Sequence, residues 1–377
     1  MGHLSVITQA ALQTQSLWVL VLTWVLGAMA GVLMHRSHFC SMGALSDFFL
    51  MGDATRLRQW GLALAVAALG VGLMSGLAWI SPLNSVYASD RLPWLSFGLG
   101  GVLFGVGMVL ASGCPSKTLL RLGAGNLKSL VVLMVMGVTA LATLRGLTGV
   151  WRVQWLDPVA LPLPHGAFIG QTLSRWTGWS QPLSWALAGG LAGLGLLVWV
   201  LKDASFRHAR NFWTGIGVGA IVLGVWWVSG VLGYVPEHPE TLEAVFLGTA
   251  SGRMEGMSLT APVALWWDAF MYFSDGSKRL TTGMALALGL VMGAFASAQH
   301  EGTFRWEGFA QTEDLVMHLI GGALMGLGGV MALGCTFGQG LSGLSTLSWG
   351  SFVAVGGMVL GAWLALAWQL RRVERLA

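Results

Sequence analysis

The sequence predicts an all-α integral membrane protein of about nine transmembrane helices with additional re-entrant half-helices, arranged as an inverted internal repeat. Three observations lead to this fold class. Hydrophobic residues make up 55% of the 377 residues and charged residues only 10%. Several uninterrupted apolar runs approach the length that crosses a bilayer core as a helix. The third observation is a duplicated segment with a cysteine at the same position of both copies.

Each transmembrane helix is predicted from one long apolar run. In chain order the runs are residues 16–34, 59–80, 94–111, 127–144, 183–201, 213–233, 280–298, 315–333 and 350–370. Many of the 20 tryptophans lie near the ends of these runs, as expected at a membrane interface. The 55 glycines are typical of helices that pack closely through small residues.

Four further apolar segments are too short or too interrupted to cross a membrane. They are residues 39–52, 116–126, 258–273 and 336–349. Each of them lies next to a full span in the sequence. Because irregular backbone is stable at membrane depth only where protein or a cavity covers it, we predict that these segments are re-entrant and covered by the spanning helices.

The duplication relates residues 99–114 to residues 320–335 without a gap. Nine of the sixteen positions are identical, and the two copies end in Cys114 and Cys335. The counterpart of Cys40 is less clear, since Ala261 and Pro262 fall near its equivalent position and neither is a cysteine. The sequence therefore predicts that two of the three cysteines occupy equivalent places in two related halves.

The order of spans and re-entrant segments predicts how the halves are oriented. Residues 16–145 and residues 213–370 each contain the same order of elements, which is span, re-entrant segment, span, span, re-entrant segment, span. The single span 183–201 lies between them. Because a connection with an odd number of spans turns the second half upside down in the membrane relative to the first, we expect the inverted repeat found in many transporters. Both halves belong to one membrane domain covering residues 1–377. The segment 145–181 is interpreted as a cap or lid without chemistry.

Basic residues predict the orientation in the membrane. Of the 20 lysines and arginines, thirteen fall on one side: Arg36, Arg56, Arg58, Lys117, Arg121, Lys128, Lys202, Arg207, Arg210, Arg305, Arg371, Arg372 and Arg375. The other side has seven: Arg91, Arg145, Arg152, Arg175, Arg253, Lys278 and Arg279. Since cytoplasmic loops are enriched in lysine and arginine, the N-terminus is expected outside and the C-terminus in the cytoplasm.

Several functional classes are not favoured by the sequence. The net charge of +4 is attributed to the cytoplasmic membrane face, with a few cations for an anionic solute, and not to nucleic acid. The three cysteines form no CxxC pair, so the sequence supports neither a metal site nor a disulfide framework. No nucleotide-binding loop or cofactor motif is present, and we expect no cofactor and no ATP-driven uptake by this chain alone.

The polar runs that follow each duplicated segment are the candidate solute site. Glycines such as Gly113, Gly334 and Gly338 would let backbone N–H groups approach a ligand, and half-helix N-termini favour an anion. Thr336 adds a hydroxyl group, and the pair Lys117 and Arg121 adds positive charge. The alternative for each glycine alone is that it only permits tight helix packing.

The three cysteines are predicted to share one site. A lone buried cysteine is usually an inert small hydrophobic residue. Here, however, two are duplicated, all three adjoin re-entrant segments, and the chain has no others. A thiol in apolar surroundings stays protonated, so it can act as a weak S–H donor to an anionic sulfur atom without repelling it.

Three motifs resemble the YeeE/YedE family of sulfur-compound transporters. They are RSHFCSMGA (residues 36–44) with Asp47, SGCPSKTLLRLG (112–123) with GNLKSL (125–130), and GCTFGQGLSG (334–343) with Leu347 and Ser348. The resemblance implies a helical fold in which membrane-entering loops converge on Cys40, Cys114 and Cys335, and a relay in which thiosulfate passes between these thiols. It also implies a small cytoplasmic sulfur-carrier protein as a partner.

The functional hypothesis is therefore uptake of thiosulfate or a related sulfur-containing anion across the bacterial inner membrane into the cytoplasm. One alternative is a membrane thiol enzyme, either a sulfurtransferase or a redox carrier, although no acid/base pair accompanies the cysteines. The other alternative keeps transport and changes the substrate to a selenium compound, sulfite or another small anion. The sequence does not order the cysteines along a path.

Overall fold

The computed structural model describes residues 9–203, 206, 209–239, 242–275 and 279–376. The structure is 73% helical, and within these residues nine helices are long and apolar enough to cross a membrane. The predicted class, an all-α integral membrane protein with about nine spans, is confirmed. Two basic residues in the charge comparison, Arg207 and Lys278, lie outside the described residues.

Each predicted span corresponds to one long helix. These are α1 (Gln9–Ser37), α3 (Thr55–Gly76), α4 (Trp94–Leu110), α6 (Leu127–Arg145), α9 (Gln181–Leu201), α10 (Ala209–Trp227), α12 (Thr282–His300), α13 (Thr312–Met331) and α14 (Trp349–Leu376). Helix α10 continues as a π-helical turn over Val228–Leu232, which completes the predicted run 213–233.

Short elements occupy the positions of the predicted re-entrant segments. Helices α2 (Ser41–Met51), α5 (Pro115–Gly123) and α11 (Thr260–Met271) have 11, 9 and 12 residues. At about 1.5 Å per residue, none of them reaches across a hydrocarbon core of about 30 Å. The fourth segment is a π-helical turn, Gly338–Gly343, within residues 334–348, which are all buried.

The spanning helices pack in two sets, one made of α1, α3, α9, α10 and α12 and the other of α4, α6, α13 and α14. Helix α1 packs on α12 and α3 packs on α10, while α4 packs on α14 and α6 packs on α13. Glycine makes these approaches possible. A Cβ atom on Gly27 of α1 would collide with the Leu286 carbonyl of α12, and one on Gly293 of α12 would collide with the Ala28 carbonyl of α1. Small residues at such crossings replace hydrophobic burial as the source of helix association in lipid.

The segment between α6 and α9 folds against the end of the last short element. It contains α7 (Leu147–Trp151), a π-helical turn (Arg152–Leu156) and α8 (Ile169–Thr177). Strand β2 (Leu161–Pro162) of this segment pairs with β1 (Arg91–Leu92), and a second small sheet pairs β3 (Tyr234–Val235) with β4 (Val245–Phe246). Backbone bonds from the Ile169 N–H to the Leu347 carbonyl (3.1 Å) and from the Trp349 N–H to the Ala167 carbonyl (3.0 Å) hold this segment in place.

Candidate functional site

The same backbone turn precedes each of the three cysteines. A non-glycine residue in the left-handed region lies two positions before each cysteine: His38 (φ 54°), Ser112 (φ 55°) and Leu333 (φ 57°). The next residue closes the end of the preceding helix, because Gly113 donates to the Met108 carbonyl and Gly334 to the Gly329 carbonyl, both at 2.8 Å. Such a left-handed cap ends a helix and redirects the chain, which here places each cysteine at the start of a new element.

Two of the three sulfur atoms accept a hydrogen bond from a backbone N–H group three residues further along the chain. The Gly43 N–H donates to the Cys40 Sγ at 3.4 Å, and the Gly338 N–H donates to the Cys335 Sγ at 3.5 Å. Cys114, the N-cap residue of α5, makes no such bond with its side chain, and its sulfur lies beside the Ser116 Oγ instead. Since the N-terminal N–H groups of a helix have no partner within the helix, these contacts help to fix the Cys40 and Cys335 sulfurs in position.

Cys114 lies at the centre of the group. Its sulfur is 3.0 Å from the Ser116 Oγ, and the Cys40 thiol and the Thr336 hydroxyl lie near it. Cys335 lies close enough to interact with Cys114 electrostatically. All three cysteines are free and buried. The structure thus brings the three sequence-predicted cysteines together, although they are far apart in the chain.

The aromatic rings beside two of the cysteines also meet. Phe39, which precedes Cys40, packs edge-on against Phe337, with ring centroids 6.0 Å apart. Both rings are almost completely buried. This contact joins the start of α2 to the segment that contains Cys335, so the cysteine group has an apolar wall on one side.

Thr336 is a buried polar residue beside the cysteine group. Its side chain is 5% exposed and lies beside the Cys114 sulfur. Nevertheless, within the described part of the chain its Oγ1 makes no hydrogen bond of good geometry. A buried hydroxyl without a partner is costly and is usually explained by a bound group, so Thr336 is suited to hold a ligand beside Cys114.

The N–H groups of the three predicted glycines already have partners in this structure, and the role of these glycines toward a ligand stays a prediction. The N–H groups of Gly113 and Gly334 cap the preceding helices, and the N–H of Gly338 bonds to Cys335. Gly113 contacts the Lys117 stem, and a Cβ atom on Gly338 would lie 2.9 Å from the Ser258 Oγ. For these three glycines the packing alternative describes the observed contacts.

A cavity of about 310 Å³ lies between Cys40 and the face of the protein where α1 ends; we call it the Cys40 cavity. Its charged or titratable lining residues are His35, His38, Arg56, Lys117 and Arg121. Lys117 also acts electrostatically on Cys40. Arg121 donates from Nη1 to the Ser112 carbonyl at 3.1 Å, which supports the turn before Cys114. The two predicted cations therefore border the thiol group from one face.

A larger cavity, of about 830 Å³, opens on the opposite face, where α3 ends; we call it the Tyr87 cavity. Its charged lining residues are Asp90, Arg91, Arg152, Asp157 and Arg253. Tyr87 lies between this cavity and the cysteines, because its hydroxyl donates to the Gly338 carbonyl. The thiol group is thus bordered by a cavity on each face.

Comparison with known proteins identifies the family. The sequence model of the Sulphur transport family matches residues 36–364, which include all three cysteines. The chain belongs to the Sulphur transport family. This confirms the resemblance to YeeE/YedE proteins, and the transporter class follows from family membership.

Relatives in the Sulphur transport family include full-length matches. The chain is 28% identical over 373 residues to the thiosulfate transporter TsuA of Escherichia coli (strain K12), covering 94% of this chain and 96% of that protein. It is 28% identical over 359 residues to the thiosulfate transporter TsuA of Spirochaeta thermophila, covering 92% and 98%. A shorter match, 30% identity over 111 residues, relates it to the probable transporter YedE of Salmonella typhimurium.

Sequence reasoning missed three residues at the cysteine group. Ser116 was visible in the GCPSK motif, but only the structure shows its hydroxyl on the Cys114 sulfur. The Leu259 backbone N–H contacts Cys335, a contact that no side-chain pattern could reveal. Tyr87 lies in the loop after α3, far from any motif, and its contact with Gly338 depends on how that loop folds back.

Proposed function

We propose that the protein takes up thiosulfate, or a closely related sulfur-containing anion, across the bacterial inner membrane into the cytoplasm. The observation that supports this most directly is the group of three buried free thiols, which lies between cavities on opposite faces. Full-length relatives named thiosulfate transporters support the choice of substrate.

The proposed path runs from the Tyr87 cavity to Cys335, then to Cys114 and Cys40, and finally into the Cys40 cavity. A neutral thiol can donate its S–H to the terminal sulfur of thiosulfate, while hydroxyls such as those of Thr336 and Ser116 donate to the sulfonate oxygens. None of these donors is charged. Permeation needs sites that bind well enough to admit an ion and weakly enough to release it, and repeated neutral contacts meet both conditions.

The proposed direction places the Cys40 cavity on the cytoplasmic side. Arg56, Lys117 and Arg121 line this cavity, in agreement with the positive-inside distribution. A dianion that leaves the uncharged neighbourhood of Cys335 would move toward these cations. Cells would then receive it at a face where a small sulfur-carrier protein, the partner implied by the family resemblance, could accept its sulfur.

We also propose that residues 16–145 and 213–370 are inverted copies. The matching caps at Ser112 and Leu333 support this, as do the reciprocal packings of α1 on α12 with α10 on α3, and of α4 on α14 with α13 on α6. With α11 as the counterpart of α2, the residue equivalent to Cys40 is Leu259, which precedes α11. That position is two residues before the Ala261 and Pro262 expected from the sequence.

Uptake of radiolabelled thiosulfate tests this function directly. In a bacterial strain without other routes of sulfur uptake, the intact protein should support growth on thiosulfate as sole sulfur source. Replacement of Cys114 or Cys335 by alanine should reduce initial uptake by about tenfold or more, since each thiol is a separate contact on the path. Excess unlabelled sulfite or selenite distinguishes the alternative substrates.

The control for this experiment is Thr346→Val, which removes a buried hydroxyl that bonds to the Gly343 carbonyl in the same segment. Membrane abundance of each variant is measured in parallel. Normal uptake by both cysteine variants at normal abundance would refute the relay, and absence of any thiosulfate uptake by the intact chain would refute the substrate.

A further inference from the structure

The lining of the Tyr87 cavity carries a net positive charge. The segment between α6 and α9 forms much of the wall and is fastened to residues 347 and 349 by the backbone bonds described above. Three arginines, Arg91, Arg152 and Arg253, face two carboxylates. One carboxylate is neutralised locally, because the Arg152 Nε is 3.2 Å from the Asp157 Oδ2. The remaining lining is net positive, which suits a small anion.

Tyr87 forms the floor of this cavity. Its side chain is 7% exposed and packs edge-on against Trp226, with ring centroids 6.2 Å apart. Trp226 is itself fixed by a bond from its Nε1 to the Ser345 Oγ at 3.3 Å. The Tyr87 hydroxyl donates to the Gly338 carbonyl, and the Gly338 N–H donates to the Cys335 sulfur. Gly338 therefore links the tyrosine to the thiol, with its carbonyl bonded to Tyr87 and its N–H bonded to Cys335.

We propose that the Tyr87 cavity is a waiting site for the oxyanion outside the cysteines, and that Tyr87 is the residue that must move for the anion to reach Cys335. This inference rests on the proposed path. An anion held by Arg91 and Arg253 lies above a ring that fills the passage. When the ring turns toward Trp226 or the cavity, the Gly338 carbonyl bond breaks and the way to Cys335 opens.

The chain itself provides the reporter for this proposal. With Cys40→Ala and Cys114→Ala, Cys335 is the single remaining thiol. Its rate of modification is measured in proteoliposomes or right-side-out vesicles with membrane-impermeant methanethiosulfonate reagents, one bearing a sulfonate and one a trimethylammonium group. Because the reporter reaction needs no transport, it is independent of whether thiosulfate is the substrate.

Tyr87→Phe removes only the hydroxyl that bonds to the Gly338 carbonyl. The ring should therefore spend less time in the position that closes the passage. We expect Cys335 to react about two- to tenfold faster, the factor given by loss of one neutral hydrogen bond. Tyr87→Leu, which also removes the ring, should react faster still. The matched control is Tyr234→Phe, since Tyr234 is 40% exposed, packs on Phe246 and does not line the Tyr87 cavity. Equal rates in the parent and both Tyr87 variants would overturn the proposal.

Two further variants test the cavity itself. Ala160→Trp adds bulk to the cavity wall at a partly exposed position and should slow both reagents. Replacing Arg91 and Arg253 by glutamine should slow the sulfonate reagent severalfold and leave the trimethylammonium reagent unchanged or faster, as expected for electrostatic steering. If Ala160→Trp leaves both rates unchanged, the cavity is not the route. If the labelling rates change as expected but the intact protein does not take up thiosulfate, the proposed role of Tyr87 is supported and the proposed substrate is refuted.

Discussion

Replacing Thr336 with valine tests whether its hydroxyl binds a ligand or stabilises the fold. The two side chains have nearly the same shape, so the substitution removes one hydroxyl and little else. That hydroxyl is buried beside Cys114 without a well-formed hydrogen bond to the described protein atoms. An unpaired buried polar group costs about 1–3 kcal/mol. The ligand-free protein should therefore become more stable by about 1 kcal/mol, against the usual direction for a substitution at a buried site.

Binding should change in the opposite direction. A hydrogen bond to a charged partner contributes about 1.5–3 kcal/mol, so loss of the Thr336 contact should weaken thiosulfate binding by about tenfold to a hundredfold. The decisive measurement is thermal unfolding in detergent with and without thiosulfate. Because a ligand that binds only the folded state raises its stability by mass action, the thiosulfate-dependent rise should shrink while the ligand-free midpoint rises.

Thr346 provides the matched control in the same segment. It is equally buried, but its Oγ1 donates to the Gly343 carbonyl at 2.7 Å. Thr346→Val should therefore lower the ligand-free midpoint and leave the thiosulfate-dependent rise intact. A Thr336→Val protein that is less stable without ligand, or that keeps the full rise with thiosulfate, would refute the reasoning from the unpaired hydroxyl.

Two predictions concern the scaffold. Gln339→Leu should lower thermal stability by about 1–3 kcal/mol for each group left unpaired, because the Gln339 side chain donates to the Ala332 carbonyl and accepts from the Ser351 hydroxyl, both at 2.6 Å; an unchanged midpoint contradicts this. Gly105→Ala should cost about 1–3 kcal/mol or more by overpacking, since its Cβ atom would collide with the Met358 carbonyl, whereas Gly356→Ala, with open space around it, should be neutral. Size-exclusion profiles of heated samples measure both, and equal losses for the two glycines would contradict the packing argument.

The spans could be predicted from the sequence because a single physical requirement determines them. A helix that crosses lipid needs about twenty apolar residues, and nothing outside the segment is needed to recognise it. For this reason the runs 94–111 and 127–144 differ from α4 and α6 by only one residue at an end. The prediction of a shared cysteine site also needed only the sequence, because the duplication, the neighbouring re-entrant segments and the rarity of cysteine can all be read from it.

The polar detail of the site depended on contacts that are distant in sequence. The turns before Cys114 and Cys335 use the N–H groups of Gly113 and Gly334 to end the preceding helices, and the apolar pattern of the sequence does not reveal these caps. The last short element is π-helical around Gly338–Gly343, a form that apolar periodicity does not predict. Tyr87 reaches Gly338 across 251 positions in the chain, and only the folded loop after α3 reveals it.

The unequal surroundings of the three thiols give the proposed path a direction. Cys335 has backbone N–H groups and the Tyr87 floor around it, so an anion there meets only neutral donors. Cys40 has the charge of Lys117 close by and opens into a cavity with further cations. In the proposed repeat, Leu259 stands where a fourth thiol would complete the symmetry. An anion that moves from Cys335 to Cys40 would therefore come closer to the charge of Lys117, while weak neutral contacts still let it leave.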